Sequence, residues 1–273
     1  LFADRNAFLV KNAPGGKYMP IKFSRLKADI DELGTAFMDL GLTGKKVAVI
    51  GENRYEWVVT YLAVVNGVGV VVPLDRELPA AEVHNLLERS EVSAIVYSSK
   101  VESVVEEAIR GVQSIEYVIS MDALDHVENK LSLKKLQRAG KRLLLEEKRF
   151  FIDAEIDREA MCSLLFTSGT TGLAKGVMLS HKNITANVYN MSKYVDVSDN
   201  QTGLSILPMH HTYELTCHVF TCLYQGCCIA ICEGLKYIVK NMAESQATVM
   251  LGVPLIFESM HKKVWKQAEA SGK

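Results

Sequence analysis

A chain of 273 residues, 48% hydrophobic and 23% charged, can build a sizeable core as one large domain or two small ones. Its 31 basic and 32 acidic residues leave a formal net charge of −1, which argues against a non-specific nucleic-acid binder and against a charged interaction tail. The chain opens on Leu1 with no basic flank and apolar signal segment, and it closes on a polar stretch, 269–273, so both ends read as truncations of a longer protein.

The first half alternates strand-like and helix-like segments. Residues 47–50 form an apolar strand that ends at Gly51, and Trp57, Tyr61, Leu62 and Val65 then recur at helical spacing. The uncharged stretch 57–74 reaches the shortest length that crosses a bilayer, yet Asn66, Gly67 and Gly69 interrupt it. A helix followed by a strand at 70–74 is expected there, and no transmembrane span. Pro79 opens a helix carrying Val83, Leu86 and Leu87, after which 94–97 reads as strand, 101–109 as helix and 117–119 as strand. Apolar strands separated by helices predict parallel pairing with helices on both faces. The charged stretch 132–148 predicts a solvated helix joining two lobes, 1–148 and 149–273.

The second half resumes with a strand at 163–166, a polar loop, and a strand at 176–179. Ser180 is placed to cap a helix through Ile184 and Val188. Strands at 205–207, 229–232 and 249–251 then alternate with helices at 215–224, 237–245 and 256–266. The expected fold class is α/β: two stacked lobes with largely parallel sheets flanked by helices. The cysteines 162, 217, 222, 227, 228 and 232 show no two-residue gap of the zinc or redox kind and sit among apolar residues. They predict a reduced, cytoplasmic protein. The cluster His210, His211, Cys217, His218 and Cys222 matches no closed zinc ligand set.

The chemistry concentrates at Thr167-Ser168-Gly169-Thr170-Thr171-Gly172-Leu173-Ala174-Lys175-Gly176. The glycines let backbone N–H groups approach an anion. The hydroxyls of Thr167, Ser168, Thr170 and Thr171 can donate to phosphate oxygens, and Lys175 adds a point charge. A polyphosphate is the ligand that needs such a density of donors. The bend is neither a Gly-Lys-Ser/Thr P-loop, since Ala174 precedes Lys175 and Gly176 follows it, nor a dinucleotide Gly-x-Gly-x-x-Gly. A plain Ser/Thr/Gly turn between hairpin strands is the bland alternative, but a mere turn needs only one or two special residues.

From 164 to 184, including Met178-Leu179-Ser180-His181-Lys182-Asn183, the sequence resembles the signature of the AMP-binding (adenylate-forming) superfamily. That superfamily includes acyl-CoA synthetases, peptide-synthetase adenylation domains and luciferases. Val47-Ala48-Val49-Ile50-Gly51-Glu52-Asn53 with Trp57, and Val72-Pro73-Leu74-Asp75 with Pro79 and Glu82, resemble the family's first-lobe strands and turns. Leu207-Pro208-Met209-His210-His211-Thr212-Tyr213-Glu214 resembles its substrate-side motif, and Gly252-Val253-Pro254 the segment beside its acyl pocket. The last two forms are most like long-chain fatty acyl-CoA synthetases.

The resemblance implies ATP-dependent activation of a fatty acid, or another small carboxylic acid, to acyl-AMP, followed by displacement of AMP by coenzyme A. It implies that Thr167, Ser168, Gly169, Thr170, Thr171, Gly172 and Lys175 hold the β- and γ-phosphates, with Mg2+ near Thr167. His211 would border the acyl carboxylate and nucleotide; Lys175 and His211 are the expected catalytic pair. His181 is assigned to the helix start, while Tyr213 and Glu214 would line the pocket or fix the local turn. Peripheral contact with a membrane surface is compatible with this reading. The family's Tyr-Gly-x-Thr-Glu segment, its Thr-Gly-Asp string and its C-terminal lid with a catalytic lysine do not occur in these residues, so the chain alone is expected to be inactive. The alternatives are an amino-acid adenylation domain and a shortened non-catalytic nucleotide-binding module.

Overall fold

A computed structural model of the chain describes residues 1–167 and 174–270. The chain folds into two compact units, Phe23–Tyr189 on the one hand and Leu1–Lys22 with Asn190–Lys273 on the other.

The larger unit starts with helix α1 (Phe23–Asp39) and strand β3 (Lys46–Ile50), following the two strands β1 (Asn6–Lys11) and β2 (Tyr18–Lys22) of the smaller unit. Helix α2 (Tyr55–Ala63), β4 (Val70–Leu74), α3 (Ala80–Ser90), β5 (Ala94–Tyr97), α4 (Glu102–Ala108), β6 (Tyr117–Ser120), β7 (Lys130–Ser132) and α5 (Leu133–Leu145) come next. Then come β8 (Met161–Thr167), β9 (Lys175–Ser180) and α6 (His181–Tyr194). The seven strands of this unit line up in the order β7-β6-β5-β3-β4-β8-β9. All neighbours are parallel except β8 and β9. Val47, Ala48, Val49 and Ile50 of the central strand are wholly buried, as residues of a parallel strand covered on both faces must be. Helices α3 and α4 close one apolar cluster with β3, β4 and β5, built on Ile50, Leu74, Val83, Leu87, Ile95 and Val105.

The stretch 132–148 does form the expected helix, α5, capped by Ser132, whose Oγ accepts from the Lys135 N–H at 3.3 Å. It is not merely a solvated connector. Leu133, Leu136 and Gly140 are buried, and a Cβ at Gly140 would stand 1.7 Å from the carbonyl oxygen of Glu32 on α1. The two helices therefore cross at backbone contact. Nor does the compact division fall at residue 148, because β8 pairs with β4 through Val71 and Ser163 and so belongs to the sheet of the first half.

The smaller unit is a five-stranded sheet in the order β12-β10-β11-β1-β2, with β10 (Thr202–Ser205), β11 (Cys228–Ile231) and β12 (Val249–Met250). Its helices are α7 (212–225), α8 (Ile238–Ser245) and α9 (Pro254–Ala270). Leu204, Ala230, Ile238 and Ile256 form its core. Within α7 the turns Leu215–Phe220 are π-helical, a widening that is frequent at functional sites. Among the described residues no helix is long and apolar enough to cross a membrane.

Candidate functional site

Strands β8 and β9 form an antiparallel hairpin whose closing pair is Thr167 opposite Lys175. Opposed residues stand about 5 Å apart at Cβ, so the first hydroxyl and the lysine of the motif are brought together at the mouth of the bend. Both side chains are exposed. Ser168, Gly169, Thr170, Thr171 and Gly172 lie outside the described residues. One step below the closing pair, Phe166 faces Gly176. A Cβ at Gly176 would meet Leu164 at 3.2 Å and the Phe166 ring at 3.6 Å, so glycine lets the ring lie across the partner strand. The Arg89 guanidinium of α3 stacks on that ring, 5.7 Å from its centre. Sequence reading gives no hint of Arg89, since nothing in a helical pattern marks a contact with a residue so far along the chain.

The helix that follows the hairpin starts as expected. Ser180 Oγ accepts from the Asn183 N–H at 3.3 Å, and Asn183 Oδ1 accepts from the Ser180 N–H at 3.0 Å, a reciprocal cap. His181 opens the first turn. Burial lowers the pKa of its imidazole, against the pull of Asp157.

In the smaller unit His211 occupies the turn into α7. Its N–H donates to Pro208 O at 3.1 Å and its carbonyl accepts from Leu215 N at 3.0 Å. The ring is exposed and lies 4.1 Å from the His210 ring, centre to centre, at a 48° tilt. Tyr213 is exposed, whereas Glu214 is wholly buried and accepts from His218 Nδ1 at 2.9 Å. Of the two roles open to Glu214, the structure gives it the local one. The pair's four-residue spacing on a helix was the signal that could have found it. Thr167 and Lys175 thus belong to the larger unit and His211 to the smaller.

The crevice between the C-terminal ends of β3 and β5, where the connections of the seven-stranded sheet diverge, is the usual ligand position of a doubly wound sheet. Here the polar atoms on its rim bond one another. Ser98 Oγ donates to Glu52 Oε2 at 2.6 Å, and Arg54 holds Asp122 through two bonds of 2.8 and 3.0 Å. Burial raises the Glu52 pKa, but the Ser98 bond, its own backbone, Lys100 and Arg54 outweigh it and hold the carboxyl below its ordinary value. Among the described residues no group of three or more His, Cys, Asp or Glu side chains is arranged to hold a metal ion.

The family model described as AMP-binding enzyme matches residues 2–272. Fatty acyl-CoA synthetase A of Dictyostelium discoideum is 27% identical over 266 residues, covering 94% of this chain and 39% of that protein. Long-chain-fatty-acid–CoA ligase 1 of Saccharomyces cerevisiae is 24% identical over 283 residues, covering 90% of this chain and 40% of that one. The chain therefore spans about two fifths of the length of these relatives. Among solved structures, the fatty acyl CoA synthetase of Mycobacterium tuberculosis superposes with a TM-score of 0.78 at 20% identity, over 93% of this chain and 47% of that one. Coronafacic acid ligase of Pectobacterium brasiliense gives 0.80 at 19% identity, over 96% and 49%. The order of strands, the hydroxyl- and glycine-rich hairpin and the near-complete family match lead to one assignment: this chain belongs to the AMP-binding enzyme family.

Proposed function

We propose that the full-length protein activates a fatty acid with ATP and passes the acyl group to coenzyme A. The observation that carries this reading is the closing pair Thr167–Lys175, which sets a hydroxyl and an ammonium side by side beneath a bend rich in further hydroxyls and glycines. In the first step a carboxylate oxygen attacks the α-phosphorus, the bond to the bridging oxygen breaks, and pyrophosphate leaves with the electron pair. Two anions must be held together, so positioning and electrostatics dominate the chemistry. Lys175 stabilises the charge that develops on the departing pyrophosphate. Thr167, Ser168, Thr170 and Thr171 donate to its oxygens, and Gly169 and Gly172 let the backbone approach.

Magnesium fits this donor set if substrate phosphates supply most of its oxygens, since the protein offers a hydroxyl at Thr167 and no carboxylate cluster among the described residues. When bound, the ion neutralises phosphate charge. His211, exposed at the turn into α7, is the side chain proposed to border the acyl carboxylate.

ATP–pyrophosphate exchange by the intact enzyme tests the proposal. Exchange that depends on long-chain fatty acids supports it. Exchange driven only by amino acids points to an adenylation domain, and nucleotide binding without exchange under any acid points to a non-catalytic module; either overturns it.

A further inference from the structure

We propose that Arg89 is a positioning residue for the β8–β9 hairpin, clasping it through Phe166 so that Thr167 and Lys175 are presented to the triphosphate in one fixed place. This rests on the reading of that hairpin as the phosphate grip. The need for a clasp follows from the topology. Strand β9 is the last of the seven-stranded sheet and bonds, among the described residues, to β8 alone. Strand β8 is registered on β4 at Val71 and Ser163, and residues 164–167 carry it on from there to the mouth of the bend. The sheet thus holds the root of the hairpin, and side-chain packing must hold its mouth.

Helix α3 supplies that packing. Val83, Leu86 and Leu87 on its buried face belong to the cluster against which Leu164 and Phe166 of β8, and Ala174 on the far limb of the bend, are packed. Both limbs therefore rest on one apolar cluster. Three residues after Leu86, Arg89 borders the buried face of the helix. It lies in the last turn of α3, ahead of Glu91, whose left-handed φ of 50° ends the helix, and the free carbonyls of that turn favour a cation. From there its guanidinium carbon reaches 5.7 Å from the centre of the Phe166 ring, within the range over which an aromatic face attracts a cation. A Cβ at Gly176, opposite Phe166, would stand 3.6 Å from the ring and 3.2 Å from Leu164, so a larger residue would crowd the ring out of its place.

Side chains alternate along a strand. Phe166 turns toward α3, so Thr167 and its partner Lys175, one step on, turn to the opposite face, where both are exposed. Arg89 therefore stands behind the hairpin and does not meet the phosphates. It acts through where it holds the strand. With the clasp open, the binding-ready arrangement is one of several, and apparent affinity for ATP falls in proportion to its population.

ATP–pyrophosphate exchange by the intact enzyme with a long-chain fatty acid tests this. Arg89→Met keeps an unbranched stem and loses the cation. KM for ATP is expected to rise about two- to five-fold, the range of a cation–π contact at an exposed site, while KM for the fatty acid stays where it was. Arg89→Lys, which puts a cation back over the ring, should recover most of the loss. The deciding step is a double-mutant cycle with Phe166→Leu. Phe166→Leu alone should raise KM for ATP to a similar extent, and adding Arg89→Met to it should change nothing further. A second rise in the double variant overturns the proposal, because Arg89 then meets the phosphates itself. KM for the fatty acid moving together with that for ATP also overturns it, because Arg89 then only stabilises the fold. Should Phe166→Leu fail to fold, Phe166→Met, closer in length, takes its place in the cycle. Lys175→Ala, run in parallel, separates the two levels of the argument. If exchange is indifferent to Lys175, the phosphate grip and the clasp fall together; if exchange needs Lys175 and is indifferent to Arg89, the clasp alone falls.

Discussion

At the scale of single residues, Lys175 and Glu52 show two opposite uses of charge. Lys175 stands exposed at the hairpin mouth, its ammonium available to an incoming anion. In the intact enzyme Lys175→Ala is expected to slow adenylate formation by 10²-fold or more, in the range of a lost electrostatic donor, and to leave thioester formation from preformed acyl-AMP nearly unchanged. Pre-steady-state measurement of the two half-reactions checks this, and equal slowing of both contradicts the role. Glu52, in contrast, is spent on the protein itself, between Ser98, Lys100 and Arg54. Its pKa is depressed in the folded state, so its contribution is present in full above the unfolded value near pH 4.3 and is lost as pH falls through the folded value. Urea unfolding of the chain and of Glu52→Gln should differ by about 1 kcal/mol near pH 7, and the gap should close as pH falls below the unfolded value and through the depressed folded one.

Between elements, the close crossing of α1 and α5 depends on one missing side chain. Gly140→Val forces the helices apart at Glu32 and is expected to destabilise the larger unit by about 2–3 kcal/mol, read as a lower urea midpoint with an unchanged slope. Gly140 stands in a run of charged and apolar residues, where only the partner helix reveals why a glycine is needed. The central strands were legible because both their faces are buried, and continuous runs such as Val47–Ile50 have no other use. The β8–β9 hairpin was legible as two strands around a bend rich in hydroxyls and glycines, and the connection 168–174 is too short for the crossover that parallel strands need. Strand β1 and the burial of α5 escaped because each is settled by a neighbour distant in sequence, β11 and α1, while β2 is an edge strand that pairs, among the described residues, only with the nearby β1. Of the candidate site, the motif residues were legible individually. The buried Glu214–His218 pair was signalled only by its four-residue spacing, and the Arg89–Phe166 stack emerged only from tertiary contact.

For the molecule as a whole, the hairpin is the proposed grip for phosphates, while the family's Tyr-Gly-x-Thr-Glu and Thr-Gly-Asp strings do not occur in these 273 residues. The chain by itself is therefore expected to show no ATP–pyrophosphate exchange with fatty acid, and isothermal titration with ATP should give weak binding at best. Robust exchange by this chain would contradict that expectation. The strand order carries a different consequence, for biosynthesis. Strand β1 is laid down among the first residues but is sandwiched by β2 and by β11, with Phe8 opposite Ile229. On a ribosome it must wait, with one edge unsatisfied, until more than two hundred further residues have been translated, while the intervening Phe23–Tyr189 unit is already able to collapse on its own core. A nascent chain stalled before β11 thus presents a bare strand edge, and chaperone dependence should be greatest in that interval.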